Sequence, residues 1–189
     1  TTVVAGHERA GLPSFLVAPD PITDIKKTLD FDVVVVGAGA AGVPAALAAC
    51  EAGAHVALIQ KEATAISQGN TASGIITDQS NPAAAAALGQ LLVKESAYRA
   101  DPELINVWIE NGGEAVKWVL DHVKEAGGSV IDQGNNQQSK ASNEVNGYSS
   151  LNYVTSYMGP KPYNNGEGMK VLAEVAAENG VEVFYNTPG

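Results

Sequence analysis

The chain has 189 residues, 45% of them hydrophobic and 17% charged, a composition that folds as one domain of ordinary size and not as a disordered segment. Its net charge of -10 argues against nucleic acid or an anionic membrane as a partner, because both need a basic patch. No apolar run approaches the ~18 residues of a membrane helix, and the single cysteine, Cys50, excludes an internal disulfide.

Residues 1–30 read as an irregular arm, since Pro13, Pro19 and Pro21 interrupt any helix and no periodicity is sustained. They show no basic start followed by an apolar stretch, so no secretory signal is visible, and cytoplasmic and exported locations both stay open. Residues 31–36 (FDVVVV) predict a buried strand, an unbroken β-branched run bounded by Asp32 and Gly37. An alanine-rich helix is expected from about Ala40 to Ala52, with Pro44 in its first turn and Gly53 as its stop. Residues 55–59 (HVALI) predict the second strand, and the whole strand–helix–strand unit has the size of a parallel crossover.

Residues 60–81 read as a polar, glycine-containing connection. Asn81-Pro82 opens a helix to about Tyr98, and Asp101-Pro102-Glu103 opens the next, with Asp as N-cap and Pro in the first position. A separate helix is expected from about Glu114 to Glu125. Asp132–Ser150 is rich in Asn, Gln, Ser and Gly and predicts an extended loop. A last helix from about Gly168 to Glu178 feeds a strand at Val181–Tyr185.

The motif with chemical content is Gly37-Ala38-Gly39-Ala40-Ala41-Gly42, a GxGxxG turn directly after a strand and opening a helix. Gly37 allows the tight turn, Gly39 lets a pyrophosphate approach the backbone, and Gly42 lets the helix pack on the sheet. The helix N-terminus then offers free N–H groups and a positive dipole end to the phosphates. On this reading Gly39→Val abolishes cofactor binding and leaves the fold largely intact. An acid that binds the adenosine ribose is expected about 20 residues on. That place holds Gln60, followed by Lys61 and Glu62. The Gln60 amide can bond a hydroxyl without bringing charge, and Glu62 is the fallback. The fold class is α/β, a Rossmann-like doubly wound parallel sheet of the FAD/NAD(P)-binding type, present in part. Strand 31–36 is expected at its centre, with 55–59 beside it and 181–185 outside that.

The segment FDVVVVGAGAAGVPAALAACEAGAHVALIQKE resembles the opening of the fumarate reductase/succinate dehydrogenase flavoprotein family. SQGNTASGI (Ser67–Ile75) resembles that family's Gly-Asn-Ser/Thr segment, which lies along the FAD. ADPELINVWIENGGEAVKWVLDHV and GEGMKVLAEVAAENGVEVFYNT resemble later segments, so the likeness runs over residues 31–189 with a poor region at 132–157. The resemblance implies FAD as cofactor, with Ser67, Gly69, Asn70, Thr71, Ala72, Ser73 and Gly74 joining the turn residues, Gln60 and Lys61 as its contacts. From the residues alone, Gly69 and Gly74 permit close backbone approach, and the Ser, Asn and Thr side chains supply donors. It also implies hydride transfer between flavin N5 and a carbon next to an electron-withdrawing group, typically in an activated C=C bond.

The same resemblance implies a capping domain and closing strands outside these residues, so the expected domains are the arm 1–30 and an N-terminal FAD-binding portion 31–189. No catalytic acid, base or nucleophile is expected in this stretch, which alone is expected to be inactive. The expected partners are a small-molecule substrate of the whole protein, and the remainder of the parent chain or a second copy. Two other classes fit the residues: a nicotinamide-dependent dehydrogenase, and a non-catalytic piece of a split flavoprotein. The missing acid at Gln60 and the Gly-Asn-Thr segment count against the first. His7, His55 and His122 are scattered and the lone cysteine has no partner spacing, so no metal site is expected. Cys50, Trp108 and Trp118 read as packed core side chains.

Overall fold

Strand β1, Val33–Val36, forms from four consecutive valines whose stiff, branched side chains favour a pleated backbone. A computed structural model of the protein describes residues 13, 16–17, 20–67, 72–132, 151–158 and 165–188. The chain divides into two compact units, Thr1–Asp30 and Phe31–Gly189. In the first, the described residues hold one turn bond, from the Leu16 N–H to the Pro13 carbonyl at 2.9 Å, and no long helix or strand.

In the second unit β1 is followed by α1 (Gly42–Glu51), β2 (Val56–Ile59), β3 (Ala72–Ile75) and a 3₁₀ turn at Thr77–Gln79. Next come α2 (Pro82–Glu95), α3 (Pro102–Glu125), β4 (Val130–Asp132), β5 (Tyr153–Met158), α4 (Asn165–Glu178) and β6 (Glu182–Phe184). Two three-stranded sheets result, a parallel one in the order β1-β2-β6 and an antiparallel one in the order β3-β5-β4. Leu47 of α1, Leu58 of β2, Leu120 of α3 and Leu172 of α4 are fully buried in one cluster. Each contributes roughly 1.5–3 kcal/mol of burial relative to exposure. Ile75, Leu88, Ile109 and Leu151 form a second cluster where α2 and α3 meet β3.

The parallel sheet has the predicted order, with two corrections. β2 sits in the middle, and β1 has one hydrogen-bonded neighbour among the described residues instead of the central place expected of it. Nor is β1 buried on both faces. Val33 and Val35 pack against the core, whereas Val34 and Val36 are 52% and 67% exposed, because the described helices cover one face.

The antiparallel sheet is absent from the sequence-based expectation, which has residues 60–81 as a connection. β3 reads ASGI and carries one β-branched residue, so its strand character comes from non-local pairing, Ala72↔Ser156 through Ile75↔Tyr153. Asp132 ends β4, and residues 133–150 of the expected loop lie outside the described residues. The two helices expected between Asp101 and Glu125 are one helix of 24 residues. Gly112 and Gly113 do not interrupt it, because they are where β3 lies on its surface. A Cβ on Gly113 would fall on the Ile75 carbonyl, and one on Gly74 on the Gly112 carbonyl. Tertiary packing thus overrides a helix-propensity cost of about 1 kcal/mol per glycine. Thr77 Oγ1 donates to the Ile109 carbonyl at 2.7 Å and ties the 3₁₀ turn to the same helix.

α1 and α3 are joined through His122. Its Nδ1 lies 2.9 Å from the Trp118 carbonyl and its Nε2 2.8 Å from Glu51 Oε1. Both partners only accept, so the protonated ring, with a donor on each nitrogen, is the form that satisfies both contacts. Burial opposes the charge, but the Trp118 carbonyl, Glu51 and Glu125 outweigh it and raise the pKa above 6.5. A folded-state pKa above the unfolded one stabilises fully below about pH 6.5, and that stability fades as pH rises through the raised value. The wild type is therefore expected to exceed His122→Gln in stability by more at pH 5.5 than at pH 8.5. Urea midpoints at the two pH values check this, and an equal gap at both contradicts it.

Candidate dinucleotide site

Parallel register puts three strand ends in one row. Val36 pairs with Ile59 and Ile59 with Phe184, so Gly37, Gln60 and Tyr185 leave the sheet side by side. The ladder continues one step beyond the strands: the Gly37 N–H donates to the Ile59 carbonyl at 2.7 Å and the Gln60 N–H to the Phe184 carbonyl at 2.8 Å. This is the carboxyl edge of the sheet, where open α/β folds bind ligands.

The turn that crosses this edge is built by its glycines. Gly37 has φ +102, a conformation costly for any side chain. A Cβ on Gly42 would fall on the Gly37 carbonyl, so this position accepts hydrogen alone. The first helical bonds run from the Val43 N–H to the Gly39 carbonyl at 3.1 Å and from the Ala45 N–H to the Ala41 carbonyl at 3.2 Å. The described hydrogen bonds include none from the N–H groups of Ala40, Ala41 or Gly42. Ala41, the N-cap, supplies no side-chain cap, and the first turn of α1 has no acidic residue. An uncapped helix end with a positive dipole and no competing anion fits a pyrophosphate.

Gly39 needs a corrected account. A Cβ there would lie 3.2 Å from the Ile66 carbonyl, tighter than an ordinary contact. Valine at this position therefore presses first on the chain's own 60–66 loop, so the expected Gly39→Val effect is not confined to the phosphate. The loop is bonded to the turn as well, the Ile66 N–H donating to the Ala38 carbonyl at 3.0 Å. Ala38 and Ala65 are both fully buried at this junction.

Gln60 is 8% exposed and its Nε2 donates to the Thr64 carbonyl at 3.2 Å, so it braces the loop and is no solvated strand end. Lys61 and Glu62 are exposed and 3.7 Å apart. Ser67 is half-buried, and Gly69, Asn70 and Thr71 lie outside the described residues. Ala72 and Ser73 open β3, with Ser73 exposed. Gly74 is buried against α3, so the close approach it permits is to the helix backbone and not to a ligand. Sequence reasoning missed the bracing of the turn by Ala65 and Ile66, which carries no motif.

The remaining candidates are structural. Cys50 is half-buried and its Sγ donates to the Asn179 carbonyl at 3.3 Å. Trp108 and Trp118 pack against the two core clusters. His55 Nε2 faces Glu182 at 3.1 Å at the opposite edge of the sheet. Among the described residues there is no group of three His, Cys, Asp or Glu side chains that could hold a metal, and no helix is long and apolar enough to cross a membrane.

Comparison with known proteins decides the family. Residues 32–188 match the FAD binding domain family. The chain belongs to that family. FAD is thus the cofactor of this FAD binding domain, in agreement with the open helix end at the turn. The domain is 34% identical over 103 residues to urocanate reductase of Eggerthella lenta, and 33% identical over 99 residues to vinyl phenol reductase of Lactiplantibacillus plantarum. These matches cover 49% and 48% of the chain but 17% and 20% of the two relatives, so the chain spans a small part of either. Among solved structures it resembles 3-ketosteroid-delta4-(5alpha)-dehydrogenase from Rhodococcus jostii, with TM-score 0.56 and 21% identity over 90% of this chain and 41% of that one. A flavocytochrome c3 fumarate reductase gives TM-score 0.50 and 20% identity over 92% of this chain and 33% of that one. The shared fold is the Rossmann-type FAD-binding domain, present in part, and the resemblance to fumarate reductase-like flavoproteins holds.

Proposed function

We propose that this FAD binding domain serves a reductase that adds hydrogen across an activated C=C bond of a small molecule. The observation that carries the cofactor half of this reading is the row of strand ends with its uncapped helix at Ala40–Gly42. Support for the reaction comes from the two relatives, both named as reductases, one of a vinyl compound. Bound flavin supplies the hydride chemistry, while the protein binds and orients it.

On this reading the turn Gly37–Gly42 takes the pyrophosphate through its N–H groups. Gln60 and Lys61 stand at the ribose, and Ser67 with residues 69–73 continues along the cofactor. Gly74 belongs to the α3 contact instead. On this reading the charged side chains next to Gln60 at this edge, Lys61 and Glu62, stand at the adenosine end of the cofactor, so proton delivery to the substrate falls to other parts of the whole protein. The isolated 189 residues are therefore expected to show no turnover.

The whole protein is expected to be yellow, to release FAD on denaturation, and to oxidise a reduced dye when given urocanate, a vinyl phenol or fumarate. Flavin absorbance and substrate-dependent dye oxidation check this. A flavin-loaded protein that leaves every C=C acceptor unreduced but oxidises a saturated substrate overturns the proposed direction of reaction.

A further inference from the structure

We propose that Gln60 is a positioning residue for FAD, whose amide folds the loop after β2 against the Gly37–Gly42 turn, and that this role accounts for an amide standing where an acid is usual. The proposal rests on the reading that the pyrophosphate lies on that turn. Among the described residues Gln60 is the one polar or charged residue that is buried. A buried amide needs partners, and the Gln60 Nε2 donates to the Thr64 carbonyl at 3.2 Å. A carbonyl only accepts, so the NH2 end of the amide must face it, and the orientation of the side chain is fixed. The main chain of Gln60 is held on both sides as well. Its N–H donates to the Phe184 carbonyl at 2.8 Å, and its carbonyl accepts from the Thr187 N–H at 2.9 Å. Two residues on, the Glu62 carbonyl accepts from the Asn186 N–H at 3.0 Å. Gln60 is thus the fixed post from which the loop turns back.

Directly after Thr64 the loop reaches the turn. Ala65 is fully buried, and the Ile66 N–H donates to the Ala38 carbonyl at 3.0 Å. Little apolar surface holds the loop in place, since Lys61, Glu62, Ala63 and Ile66 are exposed. Its position therefore depends on a few bonds, and the Gln60 amide supplies the one that closes the bend from residue 60 to residue 64. An ionised Glu at this position would only accept, so it would meet the Thr64 carbonyl oxygen to oxygen and lose that bond. Direct contact with a ribose hydroxyl makes the opposite demand, because a carboxylate is the stronger acceptor. The two roles thus give opposite signs for the same substitution. Pre-positioning a loop lowers the ordering cost a ligand must meet on binding. The effect should therefore reach any ligand that uses the turn, with or without a flavin.

The test uses the full-length apo-protein, titrated with FAD and separately with ADP, which lacks the flavin half. Gln60→Glu and Gln60→Met both remove the donor, and Met keeps the length and stays uncharged. Each variant is expected to bind both ligands about 5- to 10-fold more weakly, the scale of one hydrogen bond. Hydrogen–deuterium exchange without ligand should show the peptide spanning residues 60–67 of Gln60→Met exchanging about 5-fold faster or more, with β1, β2 and β6 as in the wild type. A domain that is merely less stable would exchange faster throughout. Ala41→Asp reports on the underlying site reading, because it caps α1 and places a negative charge where the phosphates would lie. It should weaken both ligands by more than about 10-fold. If Ala41→Asp weakens binding while Gln60→Glu binds as tightly as the wild type or more tightly, the site stands and the positioning role is overturned in favour of direct ribose contact. Wild-type exchange at residues 60–67 in Gln60→Met, faster exchange across the whole sheet, or undiminished ADP affinity in that variant overturns it likewise. If Ala41→Asp binds both ligands as the wild type does, the site reading falls and takes the proposal with it.

Discussion

Gly42→Ala is expected to destabilise the protein by roughly 3 kcal/mol or more and to abolish FAD binding with it. The added methyl would fall on the Gly37 carbonyl, which is backbone and cannot swing aside as a flexible side chain can. Relief requires the turn to open, and Gly37 is held by its own N–H bond to Ile59 at 2.7 Å. The turn and the start of α1 must therefore move apart, and the row of N–H groups at Ala40–Gly42 loses its common direction. Alanine is a better helix former than glycine by about 1 kcal/mol, so propensity alone predicts the opposite sign. Urea unfolding and FAD titration of the purified variant check this. A wild-type midpoint with retained FAD would show that the turn can accommodate a side chain.

The second large effect is expected at Gly113→Ala. In an exposed helix this change stabilises by about 1 kcal/mol. Gly113 is instead buried mid-helix in α3, where its Cβ would fall on the Ile75 carbonyl of β3. β3 is held from its other side by the ladder to β5, Gly74↔Val154 and Ile75↔Tyr153. The strand cannot retreat without breaking those pairs or the second core cluster around Ile75, Leu88 and Ile109. The net result is a loss of about 2–3 kcal/mol, seen as a lower urea midpoint. A raised midpoint would mean that α3 and β3 are not in contact. FAD affinity measured on the folded variant separates this effect from that of Gly42, because β3 meets α3 here and not the turn.

The parts of this structure legible from the sequence are those whose signal is local. Four valines in a row, a GxGxxG turn, an alanine-rich helix and HVALI specify β1-α1-β2 within one stretch, and Glu182–Phe184 adds to β2 in the expected place. The antiparallel sheet was not legible because Ala72–Ile75 becomes a strand only through Tyr153–Met158. A separate helix was expected from about Glu114, directly after Gly112-Gly113, and here that pair is instead the surface on which a strand rests. The same holds for Gly74, whose missing side chain serves α3. At the site, the turn was readable and the bracing around it was not. Gln60 stands where an acid was expected, and its observed bond is to Thr64, four residues on.

The central claim is that FAD meets this chain at the N–H groups that open α1. Hydrogen–deuterium exchange of the full-length protein with and without FAD tests it most directly, since amides without an acceptor exchange freely until a ligand occupies them. FAD should protect the peptide spanning residues 38–43 strongly and the peptide spanning 60–67 in step with it, while the opposite sheet edge at His55 stays unchanged. Saturating FAD that leaves residues 38–43 exchanging as in the apo-protein, with protection appearing elsewhere, would contradict the account.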